Sequence, residues 1–144
     1  MSSKKDCPQE QGGFTNIQID MADLIYKKLS YILNGIAFQI DNTLGYGSRE
    51  KVYGDAFETL LKSKKIHFQR EVKHNITIEG KIVSKRCFDF LIDDKIIIEI
   101  KVGDYGYRES YHQVLEYLKP SGIKLGMIIR FAPNGVRIKR IINY

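Results

Sequence analysis

The chain has 144 residues, room for one domain of ordinary size and too few for two independent cores. Its hydrophobic content of 43% suits a packed core, and 23 Lys and Arg against 17 Asp and Glu give a formal charge of +6. Only two cysteines are present, Cys7 and Cys87, which excludes a disulfide-stapled scaffold and any four-cysteine zinc or iron–sulfur site. No apolar run approaches the ~20 residues that span a membrane. The first eighteen residues are polar and carry no apolar signal core. A cytoplasmic protein is the expectation, with residues 1–18 as a flexible tail and 19–144 as one domain.

Asp20 is a plausible N-cap. After it Met21, Leu24, Ile25, Leu29, Ile32, Ile36 and Ile40 recur at spacings of three and four, which predicts an amphipathic helix. Gly45-Tyr46-Gly47 stops it. Ser48 is then placed to cap a second helix reaching about Lys64, with Tyr53, Ala56, Phe57, Leu60 and Leu61 inward. From His67 the period changes to two. Strands are predicted over His67–Glu79, Lys85–Ile92 and Lys95–Val102, with turns at Glu79-Gly80-Lys81 and Asp93-Asp94-Lys95. A helix over Tyr107–Lys119 ends at Pro120-Ser121-Gly122. Two strands follow, Lys124–Phe131 and Val136–Ile142, around a turn at Pro133-Asn134-Gly135. The order is that of an α/β protein: a mixed sheet with helices on its faces.

The segment Ile96-Ile97-Ile98-Glu99-Ile100-Lys101 reads as a central strand buried on both faces. It nevertheless holds a carboxylate and an ammonium, which belong in such a strand only when paired or bound. Two residues apart, they project from one face. Asp89, between Phe88 and Phe90, is a second carboxylate in apolar surroundings. A three-residue loop at Asp93–Lys95 sets Ile92 opposite Ile96 and Asp89 opposite Glu99. Two like charges there destabilise the sheet unless a cation lies between them. Oxygen ligands of this kind suit Mg²⁺ or Mn²⁺. A two-residue loop instead turns Asp89 to the other face; a Glu99–Lys101 or Asp89–Lys101 ion pair without a ligand is the competing reading.

Glu50 is expected on the inward face of the second helix, with Tyr53 at i+3 and Phe57 at i+7; a role at the helix N-terminus is the competing reading. Gln113 and Tyr117 form an i, i+4 pair beside the stripe Tyr111, Val114, Leu115, Leu118. Taken alone, that pair is better accounted for by local packing and hydrogen bonding. Basic residues gather at Lys62, Lys64, Lys65, Arg70 and Lys73, and again at Lys124, Arg130, Arg137, Lys139 and Arg140. Such a surface attracts a polyanion or simply stays solvated. Tyr105, Tyr107 and Tyr111 follow close behind the charged strand; stacking on bases and plain packing are both open to them.

Together these residues resemble the PD-(D/E)XK nuclease superfamily. Asp89 matches the first acidic position, and Glu99-Ile100-Lys101 matches the (D/E)-x-K signature. Gln113-Val114-Leu115-Glu116-Tyr117 resembles the Q-x-x-x-Y element of an exonuclease branch associated with recombination and repair. Gly47 to Tyr53 reads as G-x-x-E-x-x-Y, the motif that names a family of small proteins within the superfamily. The resemblance covers roughly 36–142. It implies a restriction-endonuclease-like α-β-β-β-α-β core with the site at the mouth of two bent strands. It implies that Asp89, Glu99 and the carbonyl of Ile100 hold Mg²⁺ (or Mn²⁺), that Lys101 positions the attacking water, that Glu50 supports the metal, and that Gln113 and Tyr117 orient Lys101 or touch phosphate. It implies a Mg²⁺-dependent deoxyribonuclease acting on DNA, with a dimeric junction resolvase as one form, and RNA as the alternative substrate class. Phe88 departs from the proline that often precedes the first acid. A catalytically silent nucleic-acid- or protein-binding module of the same fold is the alternative.

Overall fold

A computed structural model describes residues 26–143. The expected cap Asp20 and the apolar positions Met21, Leu24 and Ile25 lie outside them. Helices α1 (Lys27–Leu44) and α2 (Glu50–Ser63) come first, then strands β1 (Phe68–Ile78), β2 (Lys81–Ile92) and β3 (Ile96–Val102). Helix α3 (Tyr107–Ser121) crosses to β4 (Leu125–Ala132), and β5 (Gly135–Ile142) ends the described chain. The five strands form one sheet in the order β1-β2-β3-β4-β5. Only the β3–β4 pair is parallel, as the long crossover through α3 requires.

The two faces of the sheet carry separate cores. Leu33, Ile36, Ile40, Tyr53, Phe57 and Leu61 of α1 and α2 pack on Phe90, Ile96, Ile98, Ile100, Met127 and Phe131. On the opposite face Val114, Tyr117 and Leu118 of α3 cover Phe88, Ile97, Ile128 and Ile141. β3 is thus covered on both sides, which explains why its isoleucines do not alternate with polar residues. The mixed sheet with helices on both faces is what the order of elements predicts, and it is consistent with the restriction-endonuclease-like core that the resemblance implies.

Several local details differ from expectation. Arg49, not Ser48, is the N-cap of α2, and it makes no side-chain cap. The Ser48 amide instead donates to the Tyr53 hydroxyl at 3.4 Å. β2 starts at Lys81 because Glu79 and Gly80 alone make the turn, both at positive φ, so that Ile78 pairs with Lys81. Helix α3 accommodates Pro120 in its last turn and closes one residue later, on Gly122 in the left-handed conformation.

One irregularity shapes the site. By strict alternation Phe88 and Phe90 share a face. They belong instead to opposite cores, Phe88 against Tyr117 of α3 and Phe90 against Phe57 of α2. On β1 the same reversal separates Arg70, which bonds Asp55 and Glu58 of α2, from His74, which meets the Tyr117 ring. Between them Glu71 takes φ 57 and drops out of the pairing, and so does Asp89 across from it. The hairpin therefore twists by half a turn at the level of Asp89.

Candidate active site

The ladder between β2 and β3 runs from Ile92 opposite Ile96 to Phe90 opposite Ile98, and there it ends. Asp93 and Asp94, both at positive φ, make the turn that sets this register. It is the register that a three-residue loop requires, and it brings Asp89 level with Glu99. Beyond Phe90 the side chains replace the ladder. The Asp89 amide donates to Glu99 Oε1 at 3.3 Å, and the Ile100 amide donates to Asp89 Oδ2 at 2.6 Å. Each carboxylate thus satisfies a backbone donor of the other's strand, and the two strands open around them.

Glu99 is only 6% exposed. Burial, then the neighbouring Asp89 carboxylate, push its pKa up to about 8, against the opposing pull of Lys101. Lys101 Nζ lies 3.5 Å from Glu99 Oε2, on the same face as the strand period demands. Lys101 is partly exposed and lines a cleft of about 310 Å³ with Glu50, Tyr105, Glu109 and Arg130. One ammonium beside two carboxylates leaves the pair under-compensated.

Glu50 opens α2 at the rim of this cleft. It is exposed rather than inward, since it sits at the first residue of the helix. Partial desolvation, then repulsion from Asp89, raise its pKa, while Lys101 lowers it, so it shares their field. The G-x-x-E-x-x-Y spacing has a structural basis. Gly47 takes φ 124, open to glycine, and Tyr53 is fully buried, stacked on Phe131 at 4.1 Å. The Tyr53 hydroxyl donates to the Gly45 carbonyl at 2.5 Å. Tyr53 thereby ties down the 45–48 turn from which Glu50 projects.

Gln113 and Tyr117 stand apart in their contacts from Lys101. Neither shares a hydrogen bond with it among the described residues. Tyr117 is buried between His74 and Phe88, and burial raises its pKa. Gln113 lines a groove on the other flank of α3, near the Arg86–Glu116 ion pair at 2.9 Å.

The donors suit a hard divalent cation. Asp89 and Glu99 would offer it carboxylate oxygens, with the Ile100 carbonyl as the further donor that the resemblance implies; Mg²⁺ characteristically takes one or two carboxylates and leaves its other positions to water and substrate. No group of three His, Cys, Asp or Glu side chains converges among the described residues, so a purely protein-built cage is not present there.

The sequence matches the family model described as PD-(D/E)XK nuclease superfamily over residues 27–141, most of the chain. The chain belongs to the PD-(D/E)XK nuclease superfamily. Its fold is similar to that in the crystal structure of SSO0001, with a TM-score of 0.52 and 22% identity over 85% of this chain. The match spans 60% of that longer protein. No curated protein matches the chain. No helix among the described residues is long and apolar enough to cross a membrane.

Within this superfamily member one cleft residue escapes sequence reasoning. Arg130 is 2% exposed and stands directly opposite Lys101. Its guanidinium donates to the carbonyls of Gly103 at 3.1 Å and Tyr105 at 2.7 Å and to Ser110 Oγ at 3.4 Å. It also lies 4.1 Å from the centre of the Tyr107 ring. Read along the chain it is one of five scattered basic residues. Its burial follows only from the pairing of β3 with β4.

Proposed function

We propose that this chain is a metal-dependent nuclease of the GxxExxY group that hydrolyses phosphodiester bonds in DNA. The observation that carries the reading is the Asp89–Glu99 pair at the point where β2 and β3 part, with Lys101 Nζ 3.5 Å from Glu99. Asp89, Glu99 and the Ile100 carbonyl would hold a divalent cation, which would supply Lewis acidity to offset phosphoryl charge and strengthen water as a nucleophile at neutral pH. Lys101 orients the attacking water and faces the charge that develops on the phosphate. Glu50 adds a carboxylate at the rim. Arg130 holds the 103–106 loop that walls the cleft. Basic residues of β4 and β5 receive the flanking backbone without reading its sequence.

The test is cleavage of labelled single-stranded, duplex and four-way-junction DNA, and of the matching RNA, in Mg²⁺, Mn²⁺ or EDTA. Metal-dependent cleavage that Lys101→Ala abolishes is expected. Equal cleavage by wild type and variant overturns the reading. A junction preference together with a dimeric mass in solution identifies the resolvase form.

A second reading, a silent binding module, is favoured by one observation. Asp89 Oδ2 is already engaged by the Ile100 amide, and no third acidic side chain closes the site among the described residues. A Mn²⁺-induced rise in Tm that Asp89→Ala removes decides for the enzyme, because a ligand of the native state alone stabilises it.

A further inference from the structure

On the α3 side of the sheet three cations stand in a row across three strands. Lys101 of β3 is directly opposite Arg130 of β4, and Arg130 is directly opposite Arg137 of β5. Like charges placed so destabilise a sheet. Arg130 is buried, and among the described residues it has no carboxylate partner and its Nε has no hydrogen-bond partner. The row therefore carries positive charge from the catalytic cleft toward the β5 edge.

Along this row lies a separate cavity of about 510 Å³, within the size range of small-ligand sites. Its floor is apolar and aromatic: Tyr107, Tyr111 and Ile128. Its rim is cationic, from Arg108, Arg137 and Lys139, and no acidic residue lines it. Arg108 has neither an ion pair nor a hydrogen bond among the described residues. Lys139 Nζ sits 5.7 Å from the centre of the Tyr111 ring, and Arg137 reaches Asp104 only at 3.5 Å. Arg130 lines both this cavity and the cleft of Lys101.

We propose that this cavity takes one unpaired nucleotide of the nucleic-acid substrate, its base against the Tyr107 and Tyr111 rings and its phosphates toward Arg108, Arg137 and Lys139. The inference deepens the nuclease reading by naming the substrate feature recognised beside the cleavage site. The chemistry decides the class. A bare phosphate has no use for two aromatic rings and an isoleucine. A base in a duplex has its faces stacked and cannot present them. An unpaired nucleotide offers both an exposed π-face and an anion, and stacking on aromatic side chains is tolerant of sequence.

The experiment is fluorescence anisotropy in EDTA with three labelled probes: an oligothymidine, a strand of the same length made wholly of abasic positions, and a blunt hairpin whose loop is a non-nucleotide linker. Tyr111→Ala is expected to bind oligothymidine about tenfold more weakly, with hairpin binding changed less than twofold. Tyr111→Phe, which keeps the ring, retains wild-type binding. The abasic strand is weaker than the intact strand for wild type and equal to it for Tyr111→Ala. Equal losses on all three probes, or no loss on any, overturn the proposal. Should Tyr111→Ala fail to fold, wild-type protein with ring-labelled tyrosines is titrated with deoxyadenosine monophosphate. Upfield shifts at Tyr107 and Tyr111 support the site, and their absence overturns it. Binding in EDTA needs no cleavage. A protein that cleaves but ignores Tyr111→Ala sinks only this inference, and one that shows the tyrosine effect without cleaving any substrate sinks only the nuclease.

Discussion

Asp89 and Glu99 exchange backbone for side chain: the Asp89 amide binds the Glu99 carboxylate, and the Asp89 carboxylate binds the amide that follows Glu99. The arrangement holds two acids together in a partly buried gap between strands. Its consequence is a carboxyl at Glu99 that resists ionisation.

The sign of the resulting pH dependence follows from linkage. Glu99 has a folded pKa of about 8 against an ordinary carboxyl value of 4.5, so the folded state holds a proton that the unfolded chain has lost. Its contribution is fully present below pH 4.5 and is lost as pH rises toward 8. Metal-free protein is therefore expected to lose stability across that window, by an amount on the order of a few kcal/mol. Glu99→Gln flattens the loss, and millimolar Mn²⁺ reverses it in wild type. Thermal melts in EDTA between pH 4.5 and 8.5 check this; a Glu99→Gln profile parallel to wild type refutes it.

Tyr53 supplies a second prediction. Tyr53→Phe keeps the stack on Phe131 but removes the hydrogen bonds to Gly45 and Ser48. A loss of about 1–2 kcal/mol is expected in denaturant melts. If the turn positions Glu50, cleavage falls more in Tyr53→Phe than in Glu50→Gln combined with Tyr53→Phe relative to Glu50→Gln alone. Independent effects in that double-mutant cycle remove the positioning role.

Much of this was legible along the chain, and the reasons for the rest are physical. The isoleucine run of β3 announces a two-sided core, and its Glu-x-Lys spacing places both charges on one face whatever surrounds them. The register at Asp93–Lys95 follows from loop length. The reversal at Glu71 and Asp89 does not, because period-two reading assumes unbroken alternation and glutamate gives no sign of a left-handed φ. Arg130 was hidden for a different reason. Its role arises from a parallel pairing across a long crossover, which local pattern does not encode. Tyr117 shows the converse: its spacing from Gln113 is right for the motif, yet the hairpin twist brings Phe88 and His74 onto it and makes it part of the core.

Arg130 yields a third prediction. Arg130→Lys retains the charge but cannot reach Gly103, Tyr105 and Ser110 together with one ammonium. Destabilisation of about 2–3 kcal/mol is expected. Amide exchange should rise at 103–107 before it rises in β3. Unchanged protection in that loop means that Arg130 is not what holds it.

The seat of α3 on the sheet is the last test. A Cβ on Gly126 would lie 2.5 Å from Val114 Cγ1 and 3.0 Å from Ile97 Cγ2. Both neighbours are β-branched and fully buried, so neither swings aside without disturbing its core. Gly126→Ala is expected to destabilise by about 1–3 kcal/mol through overpacking. Its partner Val114→Ala opens space at the same contact. The double variant should then be more stable than the sum of the single losses predicts, since the two sites touch. Because α3 also carries Ser110, which Arg130 binds, and the Tyr107 and Tyr111 rings, a lifted helix should weaken single-strand binding along with stability, and Val114→Ala should restore both together. Restoration of stability without binding separates the helix seat from the nucleotide cavity.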